Sequence, residues 1–247
     1  MALEPLRATL YDLKTGSYLR RIPITKAPWS KELNRWGRME VTVPETAAAN
    51  LPLLRSMAQP WRTLLVLSRG SRLIQYGPIT KRPYGDRLVL KGEGFGAVFR
   101  KRLVLNRALR GMTLDGEILI DEDNPAPEWK LDFRGSYVDI ATRLVRETRE
   151  WGTLPVSTPA LAGGPMRRVY YGYDFATVEE RLLQLTQLEG GPELRFTAIP
   201  RAGGVSFQLQ GGDELVNNRH RWNTGIPGDR CSIGNIDDDG ENIVTEQ

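Results

Sequence analysis

Gly92-Glu93-Gly94-Phe95-Gly96-Ala97-Val98 has the form of a glycine loop that cradles phosphate. Asp132-Phe133-Arg134-Gly135 and His220-Arg221-Trp222 could then supply the acidic and basic partners of phosphoryl transfer. The chemistry does not assemble. The glycines fall one residue short of the G-x-G-x-x-G spacing, and no strand lysine of the V-A-I-K kind follows. The Asp-Phe pair also precedes the His-Arg pair, the reverse of the order this chemistry uses. A close strand-to-helix turn, in which glycine relieves backbone crowding, is the reading that stands.

His220 is the single histidine and lies in a polar run eleven residues before Cys231, the single cysteine. A Cys/His nucleophile pair needs a surrounding signature that neither residue has, and one His with one Cys falls short of the three or four ligands zinc requires. Asp121-Glu122-Asp123 and Asp237-Asp238-Asp239-Gly240-Glu241 are rich in oxygen, yet neither has the D-x-D-x-D-G spacing with a distant Glu that wraps calcium, so both read as solvated turns. Carboxylate pairs for glycoside cleavage depend on a separation that only the fold sets. The sequence therefore predicts no catalytic, cofactor-binding or metal-ligating residue and no cofactor. The protein is expected to act through its surfaces and not as an enzyme.

The elements that carry those surfaces centre on Pro60 to Val104. Leu64 to Leu67 is a continuous apolar run, Arg69-Gly70 a turn, and Leu73 to Thr80 and Arg87 to Lys91 further β-rich runs, which together predict an antiparallel meander. Trp61 is expected to be at least partly buried where the first of these strands begins. After Gly94 the period changes: Phe95, Val98, Phe99 and Leu103 recur at three- and four-residue steps and predict a covering helix. Upstream, Leu6 to Leu13 and Tyr18 to Ile24 form a hairpin about Lys14-Thr15-Gly16-Ser17. Trp29 and Trp36 flank a polar segment. Arg38 to Val43 then alternates as a half-buried strand, and Glu45 to Met57 reads as a short or broken helix interrupted by Pro52.

From Leu105 to Asp132 the pattern is irregular, with a weak hairpin at Asp115-Gly116. Ser136 with Asp139 opens a helix whose stripe runs from Tyr137 through Ile140, Ala141, Leu144 and Val145 to Trp151. Thr177 with Glu180 opens a second helix, through Val178, Leu182, Leu185 and Leu188, and Leu194 to Ile199 with Val205 to Gln210 forms a hairpin. The predicted class is α+β, mainly β. A β-sandwich or barrel with a packed helix spans residues 1–105, and a connecting segment spans 106–135. An α+β unit with two helices and a hairpin follows over 136–212, then a polar C-terminal segment over 213–247. Ile243-Val244-Thr245 is a strand start without a sheet of its own. It implies pairing elsewhere in the protein, pairing with a neighbour, or the beginning of a further domain.

The 247 residues are 40% hydrophobic, enough for a buried core, and no apolar run is long enough to span a membrane. With one cysteine and no secretory layout at the N-terminus, the chain is expected to be made in a reducing cytoplasm and to have no membrane partner. Charge divides the chain. Residues 1–110 hold 21 Lys or Arg against 7 Asp or Glu, a net of +14, and residues 111–247 hold 13 against 23, a net of −10. A basic part can meet nucleic acid, or it can dock head to tail on the acidic part of another copy. For nucleic acid, Arg69, Arg72, Lys81, Arg82, Arg87, Lys91, Arg100, Lys101 and Arg102 with Tyr76, Tyr84, Phe95 and Phe99 have the composition of a single-strand-binding barrel. Those aromatics, however, are spread between turns and the helix rather than gathered on one strand.

The order of these pieces resembles the tail hub proteins (minor tail, baseplate hub) of long-tailed phages, especially those of actinobacterial hosts. The residues that carry it are Trp61-Arg62 leading into Leu64 to Leu67, Tyr76-Gly77-Pro78-Ile79, Leu88 to Gly92 with its helix to Arg102, the Ser136 to Trp151 helix followed by Leu154-Pro155-Val156, and the Thr177 to Leu188 helix followed by Gly191-Pro192-Glu193. The resemblance implies a tail-tube-like first domain and a structural virion component at the tail tip. Its copies would form a ring, a trimer in that family, that closes the tube and anchors tip or receptor-binding proteins. It implies distal tail, tape measure and tip proteins as partners, with DNA met only in passage through the tube. Family members commonly carry a second tube-like domain after the α+β part, which would begin where this chain ends. Binding of nucleic acid by the basic first domain is the alternative.

Overall fold

The computed structural model describes residues 4–32, 34–44, 51–83, 85, 87–110, 127–212 and 243–244. Its first part contains β1 (Leu6–Asp12), β2 (Tyr18–Ile22), β3 (Lys31–Glu32), β4 (Arg38–Thr42), α1 (Leu51–Met57), β5 (Thr63–Arg69), β6 (Arg72–Lys81) and β7 (Val89–Glu93). Six of these strands make one antiparallel sheet in the order β2-β1-β5-β6-β7-β4. The β1–β2 turn is held locally: the Asp12 carboxylate accepts from the backbone N–H groups of Lys14 and Thr15, and Gly16 takes φ +69°. The sheet does not end at β2. The stretch that follows β2 lies along β4, with Thr25 N–H on Thr42 O at 2.9 Å, Glu40 N–H on Pro28 O at 2.9 Å and Ser30 N–H on Arg38 O at 2.8 Å. The two outer strands are thereby joined, and the sheet closes into a barrel without a long bare edge.

The apolar run of β5 is continuous because both of its faces are buried. Leu65 and Leu67 point into the barrel with Ala8, Leu10, Met39, Val41, Ile79 and Leu90, whereas Leu64 and Val66 point outward into a second core. Met39, Val41 and Val43 are the buried side of the predicted alternation in β4. The described part of the expected helix is α1. Pro52 stands in the first turn of α1 as described, a position that tolerates its missing N–H, and residues 45–50, the rest of the expected helix, lie outside the described set.

The covering helix after Gly94 is a 3₁₀ helix over Phe95–Lys101, and it ends before Leu103, which is 40% exposed and so not part of a buried stripe. Packing accounts for this. A Cβ at Gly94 would overlap the Trp36 carbonyl and a Cβ at Gly96 the Trp36 ring. The glycines let a tight helix lie directly on the indole, and Phe95, Val98 and Phe99 are buried beneath it.

The second part contains β8 (Lys130–Gly135), α2 (Tyr137–Glu150), β9 (Val156–Ser157), β10 (Met166–Tyr171), α3 (Val178–Thr186), β11 (Glu193–Arg201), β12 (Gly204–Gly212) and β13 (Ile243–Val244). Both helices open with the expected capping boxes, Ser136 with Asp139 and Thr177 with Glu180. A strand occupies Lys130–Gly135, where irregular chain was expected as far as Asp132. Its buried Leu131, Phe133 and Gly135 alternate with Lys130, Asp132 and Arg134, a period-two pattern carried by few apolar residues. It pairs with β10, a strand with no counterpart in the sequence reading. β11 and β12 form the expected hairpin, extended by a parallel pairing of β12 with β9. The strand start at Ile243–Val244 pairs within the chain, antiparallel to β3.

One core serves both parts. Phe95 and Phe99 from the first meet Phe196 and Phe207 from the second, together with Ile140, Leu144, Leu182 and Leu209, and the outward-facing Leu64 and Val66 of the barrel. The fold is α+β and mainly β.

Candidate docking surfaces

The residues singled out for chemistry are not brought together. His220, Cys231, Asp121 to Asp123 and Asp237 to Glu241 lie outside the described residues. Gly92, Gly94 and Gly96 line no phosphate cradle: Gly92 lies against Met39, and the other two against Trp36. Among the described residues no group of three or more His, Cys, Asp or Glu could hold a metal ion, and no helix is long and apolar enough to cross a membrane.

Nor do the described aromatics of the basic region form a stacking platform; Tyr84 lies outside the described residues. Phe95 and Phe99 are fully buried, and Tyr76 donates its hydroxyl to Phe196 O at 2.9 Å and packs on Phe207. The cations of that region are dispersed. Arg82 donates to the carbonyls of Arg55 and Ala58, Lys91 pairs with Glu40 at 3.0 Å, and Lys101 lies over the Trp61 ring at 5.2 Å. Arg100 ties the two parts of the fold together. Its guanidinium meets Glu93 at 2.8 Å and Glu179 at 2.7 Å, and these hydrogen bonds, Glu93 first, raise its pKa above the ordinary arginine range. This is a joint between β7 and α3, not a free cation.

Asp139 is a buried carboxylate held by several backbone donors. It is 2% exposed and accepts backbone N–H bonds from Ser136 at 3.1 Å, Ala162 at 2.9 Å and Gly163 at 2.7 Å. Burial pushes its pKa up, but the donors outweigh burial and hold it below the usual carboxylate range. The side chain fastens the 162–163 loop to the start of α2 and has no solvent-facing role.

The surface of the described residues carries charge and a cleft. The net −10 of the second part comes wholly from two stretches outside the described residues: 111–126, with five acidic and no basic residues, and 213–247, with eight and three. Residues 127–212 hold ten of each and are neutral. The acidic character thus belongs to two short runs and not to the α+β unit. The cleft, of about 400 Å³, surrounds the last turn of α2 and is lined by Arg107, Arg146, Arg149, Glu150, Thr153 and Leu154. Sequence reasoning missed it, since Arg107 reaches the helix only through the fold. The one legible signal was the three-residue spacing of Arg143, Arg146 and Arg149. Apolar exposure adds Phe175, 62% exposed at φ +49°, beside Leu103, whose stretch bridges to Thr177.

The described residues thus form a closed barrel joined to an α+β unit by a common core, with a charged surface. No protein-family model matches the chain, and no curated protein matches it. Among solved structures it is similar to the 43 kDa tail protein of prophage MuSo2 from Shewanella oneidensis, with 10% sequence identity, a TM-score of 0.43, and coverage of 84% of this chain and 54% of that one. The chain spans about half the length of that protein.

Proposed function

We propose that the chain is a structural subunit of a phage tail tip, a hub protein whose copies form a ring that closes the tail tube and anchors tip or receptor-binding proteins. The observation that carries this reading is the common core. Phe95 stacks on Phe207 and Phe99 on Phe196, so the barrel and the α+β unit make one stiff block instead of two domains about a hinge. A subunit that holds its place in a ring while other proteins pull on it needs such a block. The order of sequence elements that resembles tail hubs supports the same reading, and that family supplies the expected ring of three. The subunit performs no reaction. Its partners are further copies and neighbouring tail proteins such as the distal tail, tape measure and tip proteins, and its place is the virion.

Native mass spectrometry of the purified chain at low and at high salt tests the proposal. A closed oligomer at low salt, weakened but persisting in part at 1 M where screening shortens to about 3 Å, is expected. A strictly monomeric chain at high concentration and low salt would refute it. So would tight single-stranded DNA binding at physiological salt, which would favour the basic barrel as a nucleic-acid module.

A further inference from the structure

Strand β10 has an edge that nothing among the described residues pairs. It belongs to a two-stranded ribbon with β8, in continuous antiparallel register from Met166 opposite Gly135 to Tyr171 opposite Lys130. In such a pair alternate residues turn their N–H and C=O away from the partner, so half of the donors and acceptors of β10 point outward. No hydrogen bond from the described residues reaches them, and no other described element lies along the strand. The outer edge of β11, by contrast, is met from the barrel: Asn34 Oδ1 accepts from Leu194 N–H at 3.2 Å, and Tyr76 donates to Phe196 O at 2.9 Å. The devices that keep a bare edge from pairing are missing from β10. It is six residues long and holds neither a proline nor a bulge. Both of its charges are turned elsewhere, since Arg167 forks onto Asp132 at 2.9 and 2.7 Å and Arg168 lies over the Tyr137 ring at 5.9 Å. Met166 and Arg167 are exposed, so the edge is open to a partner.

We propose that the outer edge of β10 receives an extended, acidic segment of a partner protein, which adds a third strand to the ribbon. The main chain supplies the pairing, and charge selects the occupant. The ribbon carries Lys130, Arg134, Arg167 and Arg168 against Asp132 alone, a net of +3, so acidic side chains on the incoming strand are attracted and basic ones repelled. A second β10 is the wrong occupant for the same reason, because it would bring two basic strands side by side. The third strand also strengthens what two leave thin. Leu131, Phe133 and Tyr170 are the buried aliphatic and aromatic side chains of the ribbon, and a two-stranded sheet is marginal without further pairing or a helix to pack on. The inference goes beyond the ring reading and does not depend on it.

Hydrogen exchange of the full chain, resolved to single amides, tests it. In the free chain alternate amides of β10 should exchange at least tenfold faster than those between them, which bond to β8. A short synthetic peptide alternating glutamate and valine should slow these fast amides at least tenfold. The same peptide with lysine in place of glutamate, or with every amide nitrogen methylated, should leave them unchanged. K130E/R134E, checked for folding by circular dichroism, should bind the glutamate peptide at least tenfold more weakly and the lysine peptide more tightly. Fast amides that are absent from the monomeric free chain overturn the proposal, since the edge is then paired within the chain. Protection that appears only as copies associate overturns it too and makes a second copy the occupant. So does a glutamate peptide that leaves exchange unchanged or binds no better than the lysine one. A chain that never assembles yet takes the glutamate peptide keeps this inference and sinks the ring.

Discussion

The ring of Phe95 lies flat on the ring of Phe207, with centroids 3.8 Å apart and planes 12° apart, across 112 positions of sequence. Phe95 comes from the 3₁₀ helix on the barrel and Phe207 from the hairpin of the α+β unit, so this pair joins the two parts of the fold. Both side chains are fully buried, and around them Phe196 approaches Phe95 at 5.5 Å and Phe99 at 5.2 Å.

Removing one member should therefore destabilise the whole chain rather than half of it. Phe207→Ala is expected to cost about 3–5 kcal/mol, the usual loss for a buried phenylalanine. Urea unfolding followed by tryptophan fluorescence and by far-UV circular dichroism should give coincident transitions that move together. Two separated transitions, only one of them shifted by the substitution, would show that the common core is not cooperative.

Gly96 offers a sharper test of the glycine loop. Gly96→Ala should destabilise by about 1–3 kcal/mol, because the added methyl overlaps the Trp36 ring in a packed interior. Trimming the indole in the double variant Gly96→Ala with Trp36→Leu should recover part of the loss relative to Trp36→Leu alone. If Gly96→Ala instead left thermal stability unchanged, the crowding account of these glycines would be wrong.

The hairpin at Gly16, the meander, the alternation of β4 and both capped helices were legible because each is a local agreement of period and turn chemistry. What escaped the sequence depended on partners far along the chain. β8 and β10 expose as many charges as they bury apolar groups, and they are strands because they pair with each other over a helix. The closure of the barrel depends on Thr25 and Ser30 finding β4, a match of backbone groups that leaves no mark in side-chain pattern. The close seating of the 3₁₀ helix depends on Trp36, nearly sixty residues earlier. The arginine cleft was illegible for the same reason, since Arg107 and Arg146 become neighbours only after α2 has packed.

Asp139 makes stability depend on pH in a definite direction. Its folded pKa is lower than its unfolded one, so its contribution is fully present above the unfolded value, about 3.9, and is lost as pH falls through the folded value. Asp139→Ala should lower the melting temperature at neutral pH, by an amount consistent with losing charge-assisted bonds of about 1.5–3 kcal/mol in all. The gap between wild type and variant should close in acid. A gap that stays constant from neutral pH down to pH 2 would remove the carboxylate from the account and leave only packing.

Trp61 gives a prediction that inverts the usual order of two substitutions. It is half-buried, donates its N–H to Ile79 O at 2.8 Å two residues before β5 begins, and receives Lys101 over its ring at 5.2 Å. Its backbone sits at φ +60°, a conformation that costs a residue with a Cβ on the order of 1–2 kcal/mol and costs glycine little. Trp61→Ala loses the indole contacts and keeps the strain, whereas Trp61→Gly loses the same contacts and relieves it. Elsewhere in a chain glycine is the more damaging replacement, because it frees the unfolded state. Here Trp61→Gly should be as stable as Trp61→Ala or more so, and Trp61→Ala should cost less than the ~3 kcal/mol of a fully buried tryptophan. Chemical denaturation of the two variants side by side decides it: a glycine variant clearly weaker than the alanine one would mean that the backbone at this position is not left-handed in solution.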